Sequence, residues 1–325
     1  FDISHSKRFS IKDSIMKLNY KHTMSACYIA YIIQAMVINF APLLFVTFNR
    51  EFGISTEKIA LMITVSFTVQ LLVDFFSAYF LDKTRYRTAM IISHILAAAG
   101  LIGLGIFPDL FTDSYIGILF ASFLYSAGGG LLEVLISPIV NSCPTKNKVG
   151  AMSLLHSFYC WGQALVILLS TLFFAVVGIK NWRYLSFLFA LVPLANMFFI
   201  FRMPIKVSIK GEKTMKVPEL FKNRTFLILF ILMMAAGASE LAMSQWASTL
   251  AETALGLKKA VGDLAGPCMF AIMMGASRTL FAAFSIKIRL KRCMAVSGVF
   301  CIIGYLLTAL SPYPFISLAG SAIVG

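Results

Sequence analysis

Nine long apolar runs, interrupted by no more than an occasional charge, constrain this chain more than any other feature. They cover residues 23–48, 58–81, 88–107, 115–137, 149–177, 182–201, 225–250, 264–286 and 293–310. Each matches the about 20 residues that a helix needs to cross a hydrocarbon core. A tenth run begins near Pro314 and stops at Gly325, in mid-span. The runs do not alternate polar with apolar residues, which excludes an outer-membrane barrel. Only 13% of the residues are charged and 59% are hydrophobic, against about 25% charged in a soluble domain. So little polar surface excludes an ordinary soluble enzyme, a disordered chain and a nucleic-acid binder. The leading segment is polar and basic, so no cleavable signal peptide is expected. A start without Met and an end inside a helix mark the chain as an expected fragment of a longer one.

The net charge of +14 reads first as loop chemistry. With the N-terminus placed in the cytoplasm, strict alternation puts 21 Lys and Arg residues inside and 6 outside, and the remaining cation, Arg278, inside the eighth run. Such a split is the positive-inside pattern of a multi-pass protein of the cell (plasma or inner) membrane. One miscounted helix would have scattered the later loops over both sides. The six cysteines show no metal or disulfide spacing and read as small buried hydrophobes. No paired carboxylates, nucleophile elbow or phosphate-cradling loop appears, so no enzyme is expected; Gly128–Gly130 lie within a run and follow no strand.

The longest polar stretch, residues 204–224, divides the chain into residues 1–203, a six-helix half with its tail, and residues 225–325, a second half cut short. Basic clusters follow the second run (residues 82–87) and the eighth (residues 287–292), six helices apart. This layout resembles the major facilitator superfamily of transporters. The resemblance implies an all-α membrane protein of two six-helix bundles built from inverted three-helix repeats, the second bundle incomplete here. It further implies that helices 1, 4, 7 and 10 line a central cavity and that helices 3, 6 and 9 are peripheral. The segment from Ala78 to Arg87 resembles the superfamily's helix 2–3 motif, with Ala78 and Arg85 where Gly is usual. Asp82 is then an expected latch of a cytoplasmic gate. Lys83, Arg85 and Arg87 belong to the same gate, although for them a positive-inside anchor suffices.

Inside the runs stand Asp74, Glu133, Glu240, Arg278, His94 and His156. A charge at bilayer depth costs about 2.5–3.5 kcal/mol on insertion scales, so these residues should face protein or water. His94 reads as a neutral, hydrogen-bonded structural group. Asp74 reads as part of the cytoplasmic gate or as a structural partner for a basic group on another helix. Gly237, Glu240 and Ser244 share one helix face, as do His156, Tyr159 and Gln163. For Tyr159 and Gln163, ligand contact and interhelical hydrogen bonding stay open. For His156 the reading is ligand contact or proton relay.

These segments resemble a narrower family, the fucose permease-like sugar–proton symporters. The helix 4 pattern appears as Gly130 through Glu133 to Ser137-Pro138, with Ser in place of Asn. The helix 5 pattern appears from Leu154 to Gly162, with His156 in place of Gln. The helix 7 pattern appears as Gly237, Glu240 and Trp246, and the helix 8 Gly-Arg pair as Ser277-Arg278. The resemblance implies that Glu133 binds sugar or carries the coupling proton. Where the family has a helix 1 carboxylate before a proline, this chain has Gln34, Asn39 and Pro42 and no acid. Gln34 and Asn39 lie five residues apart, about 140° around a helix, so both cannot point squarely at one ligand.

The expected function is uptake of a small polar solute, a sugar, by alternating access and proton symport. Glu133 is the coupling residue and Arg278 displaces its proton on approach. Protons serve as the coupling ion and no cofactor is expected. The expected partners are the solute and the lipid bilayer, with no nucleic acid, and the protein is expected to be a monomer. The alternatives are a transporter or exporter of the same fold for a drug, nucleoside or organic anion, and a non-transporting membrane sensor.

Overall fold

The computed structural model describes residues 19–80, 86–145, 148–205, 217–284 and 290–325. Every regular element among them is helical, and nine helices are long and apolar enough to cross a membrane. The first span, α1, covers Tyr20–Phe52. It is followed by α2 (Thr56–Phe80), α3 (Tyr86–Leu110), α4 (Ser114–Ser142), α5 (Lys148–Val176) and α6 (Trp182–Arg202). The remaining spans are α7 (Arg224–Thr253), α8 (Lys259–Asp263 continued through a π-helical turn Leu264–Cys268 into Met269–Phe284) and α9 (Leu290–Leu310). The shorter apolar helix α10 is Pro314–Val324.

Local chemistry sets the ends of these helices. Asn19 caps α1 by accepting from the backbone of Lys21 and His22, and the His22 ring accepts in return from the Asn19 backbone, a reciprocal capping box. Asp113 and Asn223 cap α4 and α7 by accepting from backbone amides of the first turn, Tyr115 in α4 and Thr225 and Phe226 in α7. Gly53 closes the first span at φ +65, a left-handed turn that a side chain would strain. Two differences from the sequence reading stand out. The first span is interrupted: helix Tyr20–Asn39 gives way to a 3-10 turn at Ala41–Leu44 before Phe45–Phe52, because Pro42 has no amide hydrogen to continue the ladder. And α8 begins at Lys259, five residues before the expected start, so that Asp263 lies inside the helix.

Packing in the first half rests on small residues, as expected where no hydrophobic force draws helices together in lipid. Gly100 of α3 lies against the Tyr125 backbone of α4, and Gly128 of α4 against Ala97 and Ser93 of α3. Polar bonds fasten α6 to the same group. Ser186 donates to the Leu101 carbonyl at 2.6 Å, and Asn196 bridges His94 Nε2 at 3.0 Å and the Ala26 carbonyl at 3.1 Å. Contacts at the helix ends define two ends of the bundle. At the near end, Thr23 of α1 donates to the Pro204 carbonyl just beyond α6. At the far end, the Trp182 indole of α6 donates to Glu51 of α1. Outward-facing positions such as Leu71, Phe75, Val176 and Phe198 are large, apolar and exposed, as a lipid-facing surface requires.

Candidate functional site

The glycine run of α4 builds the first part of the site. Gly129 leaves room for Val37 of α1, and Gly130 for the backbone of Gln70 of α2. With α1 drawn in, Gln34 Nε2 donates to Glu133 Oε2 at 2.9 Å. One turn nearer the start of α1, the Tyr31 hydroxyl lies 3.3 Å from Ser137 Oγ of α4, and the edge of its ring meets His156 of α5 at 5.4 Å. Asn39 Nδ2 donates to the Ala35 carbonyl at 2.8 Å and to the Tyr159 hydroxyl at 3.4 Å. Gln34 and Asn39 therefore serve different partners, as their angular separation on the helix predicts.

The second part comes from α7 and α8, where Arg278 Nη2 pairs with Glu240 Oε2 at 3.1 Å. Each side chain keeps about a third of its surface exposed. Along the seam between the halves α8 lies on α5: Gly275 has no side chain and rests against Cys160 and Trp161. Ser153 Oγ donates to the Arg278 carbonyl at 3.2 Å, and the Trp161 indole to Thr279 Oγ1 at 3.4 Å. This seam brings Glu133 within electrostatic reach of Glu240, and His156 within reach of Arg278. Glu133 and His156 are both exposed. The arrangement sets one charged cluster in each half along the seam: a carboxylate held by an amide on one side, and a carboxylate held by a guanidinium on the other. It offers donors and acceptors to a polyhydroxyl ligand, and a carboxyl group able to carry a proton.

The other expected residues have their own surroundings. Arg278 is bonded to Glu240 and not to Glu133, because the two residues sit on adjacent helices at one level. Asp74 has no basic partner among the described residues; its Oδ1 is buried without a hydrogen bond, and its electrostatic neighbour is Glu133. Gln163, on the face it shares with His156 and Tyr159, is buried and neither of its amide atoms is bonded. Arg87 donates to the carbonyls of Phe201 at 3.1 Å and Met203 at 2.7 Å. It thus caps α6 of its own half, and among the described residues it has no bond to the second half. Asp82, Lys83 and Arg85 lie outside the described residues. Trp246 packs its ring 5.8 Å from Phe45, beside the interruption of α1. His94 is the buried structural group expected of it, bonded to the Met90 carbonyl at 2.7 Å and to Asn196.

Sequence reasoning overlooked an ionic cluster at the far end. Lys259 Nζ lies 3.2 Å from Glu252 of α7 and 3.1 Å from Asp263, and Ser248 of α7 donates to the Asp263 carboxylate. The signal was present as a Lys259–Asp263 pair at i, i+4 spacing, but it fell in a stretch taken for a loop.

A sequence profile of the Major Facilitator Superfamily matches residues 27–325. Among solved structures, a D-xylose–proton symporter superposes with a TM-score of 0.67 at 12% sequence identity, over 94% of this chain and 79% of that one. No curated protein sequence matches.

Proposed function

The chain belongs to the Major Facilitator Superfamily of membrane transporters, and from that premise we propose that it carries a small polar solute, a sugar, together with protons by alternating access. The observation that carries this reading is the pair of charged clusters beside the seam between the halves, Gln34–Glu133 from one half and Glu240–Arg278 from the other. A solute bound between them touches both halves, so its binding is coupled to their relative rocking. The sugar–proton chemistry named for the structural neighbour and the motifs around Glu133 support the choice of cargo and ion. Glu133 is the proton carrier. A carboxyl group closed off from water holds its proton more firmly than one in an open, hydrated cleft, so each swing of the halves loads or unloads it. Gln34 orients the carboxylate, while Arg278 pairs with Glu240 on the other side of the seam. The near end is the cytoplasmic one, where the basic loops collect. The test is Glu133→Gln in proteoliposomes. Exchange of labelled sugar should continue and accumulation driven by a pH gradient should vanish; accumulation at the unmodified level would overturn the assignment.

A further inference from the structure

A cavity lies at the far end, apart from these two clusters, with a volume of about 660 Å³. Pockets of roughly 300–1,000 Å³ are the usual size for small ligands. Its walls come from both halves: the end of α1, the end of α5 with the turn that follows, and the facing ends of α7 and α8. We propose that this cavity is a binding site for a sugar acid, a monosaccharide-sized ligand bearing one carboxylate.

The argument turns on which of its charges are already spoken for. Every lining acid has a partner. Glu51 accepts from the Trp182 indole at 2.9 Å and pairs with Arg183 at 3.0 Å, while Glu252 and Asp263 share Lys259. The cations Arg50 and Lys180 also line the cavity, and among the described residues neither side chain has an ion pair or hydrogen bond. Arg50 and Lys180 are therefore the lining cations without a protein partner, in a lining whose three acids and three cations balance overall. The wall also holds an unused donor: Thr171 is 6% exposed, and its hydroxyl is buried without a partner. Phe174 adds an aromatic face, against which the Lys259 ammonium sits 5.9 Å from the ring centre. A carboxylate satisfies Arg50 and Lys180, a ring hydroxyl satisfies Thr171, and the C–H face of a sugar ring covers Phe174. A neutral sugar leaves the cations unmatched, and a simple carboxylate leaves the hydroxyl and the aromatic wall unused.

This site does not depend on the assignment of Glu133, and the experiment keeps the two apart. The full chain in nanodiscs is titrated calorimetrically with glucuronate and, separately, with glucose. Glucuronate should bind at least about tenfold more tightly than glucose, the difference made by one hydrogen bond to a charged group. The double substitution Arg50→Gln with Lys180→Gln should weaken glucuronate binding by about tenfold or more and leave glucose binding unchanged. Both residues are exposed, so the fold should tolerate the change; the single substitution Lys180→Gln repeats the test if the double variant melts early. In a Glu133→Gln background the cation variants should weaken glucuronate binding by the same factor, whatever that background does to glucose. Absence of glucuronate binding, equal binding of the two sugars, or glucuronate binding indifferent to both cation variants would each overturn the proposal.

Discussion

The Gln34 side-chain amide donates to Glu133 at 2.9 Å across 99 residues of chain. This one bond fastens the first span to the fourth at the level where the charged residues gather. A neutral donor at that point orients the carboxylate without adding charge beside it. Gln34→Ala removes the donor and should raise the KM for solute about tenfold, the loss expected when a charged group gives up a hydrogen bond. A small change in melting temperature alongside it would separate this effect from a general loosening of the fold.

The Glu240–Arg278 pair is partly solvated, so its direct contribution to stability is about 0–1 kcal/mol. Its importance should show in transport. Arg278→Gln leaves Glu240 unpaired beside Glu133, whereas the double variant with Glu240→Gln removes both charges. Initial uptake rates should fall further in the single variant than in the double. Equal losses would mean that the two residues act independently.

Helix approach at Gly100 leaves no room for a methyl group: a Cβ built there sits 2.4 Å from the Tyr125 backbone nitrogen. Gly100→Ala should destabilise the protein by about 1–3 kcal/mol through overpacking, read as a lower melting temperature in detergent. Gly237 of α7 is the control. A Cβ there meets nothing within 4 Å, and Gly237→Ala should be neutral or stabilising by about 0.5–1 kcal/mol through helix propensity.

Asn196 holds three helices together through His94 and the Ala26 carbonyl. Asn196→Ala strands both partners in a dry interior and should cost about 1–3 kcal/mol. Molecules that survive purification should transport with unchanged KM, because the residue lies away from the two charged clusters. A KM shift with no loss of stability would contradict this placement.

The spans were legible in the sequence because length and hydropathy alone decide whether a helix can cross a bilayer, and each run carried that information locally. The same holds for His94, whose fate as a buried imidazole follows from its place in a helix that carries charge only near its ends. What escaped notice was set by distant partners. Nothing near Arg278 in sequence says that it bonds Glu240, 38 residues away, and nothing near Asp74 says that no cation among the described residues meets it. Asp263 was misread for a related reason: an acid beside two lysines looks like a loop until Lys259, Glu252 and Ser248 close around it and make its burial tolerable. Pro42 lay in plain view, but tolerance of proline in membrane helices hid the change of backbone at Ala41–Leu44.

That interruption gives the first span an elbow. Below it, Thr23 and Gln34 bolt the lower arm to α6 and α4. At the bend itself, Leu43 is wedged among Ala164 and Ile167 of α5 and Cys268 and Ala271 of α8, so the joint sits where the two bundles bear on each other. The upper arm, Phe45–Phe52, is held to the first bundle as well, since Glu51 bonds Trp182 and Arg183 of α6, so the second bundle bears on a joint between two anchored arms. Spin labels on either arm should accordingly keep their distances to α6 as the protein turns over, and a change above Phe40 would contradict this.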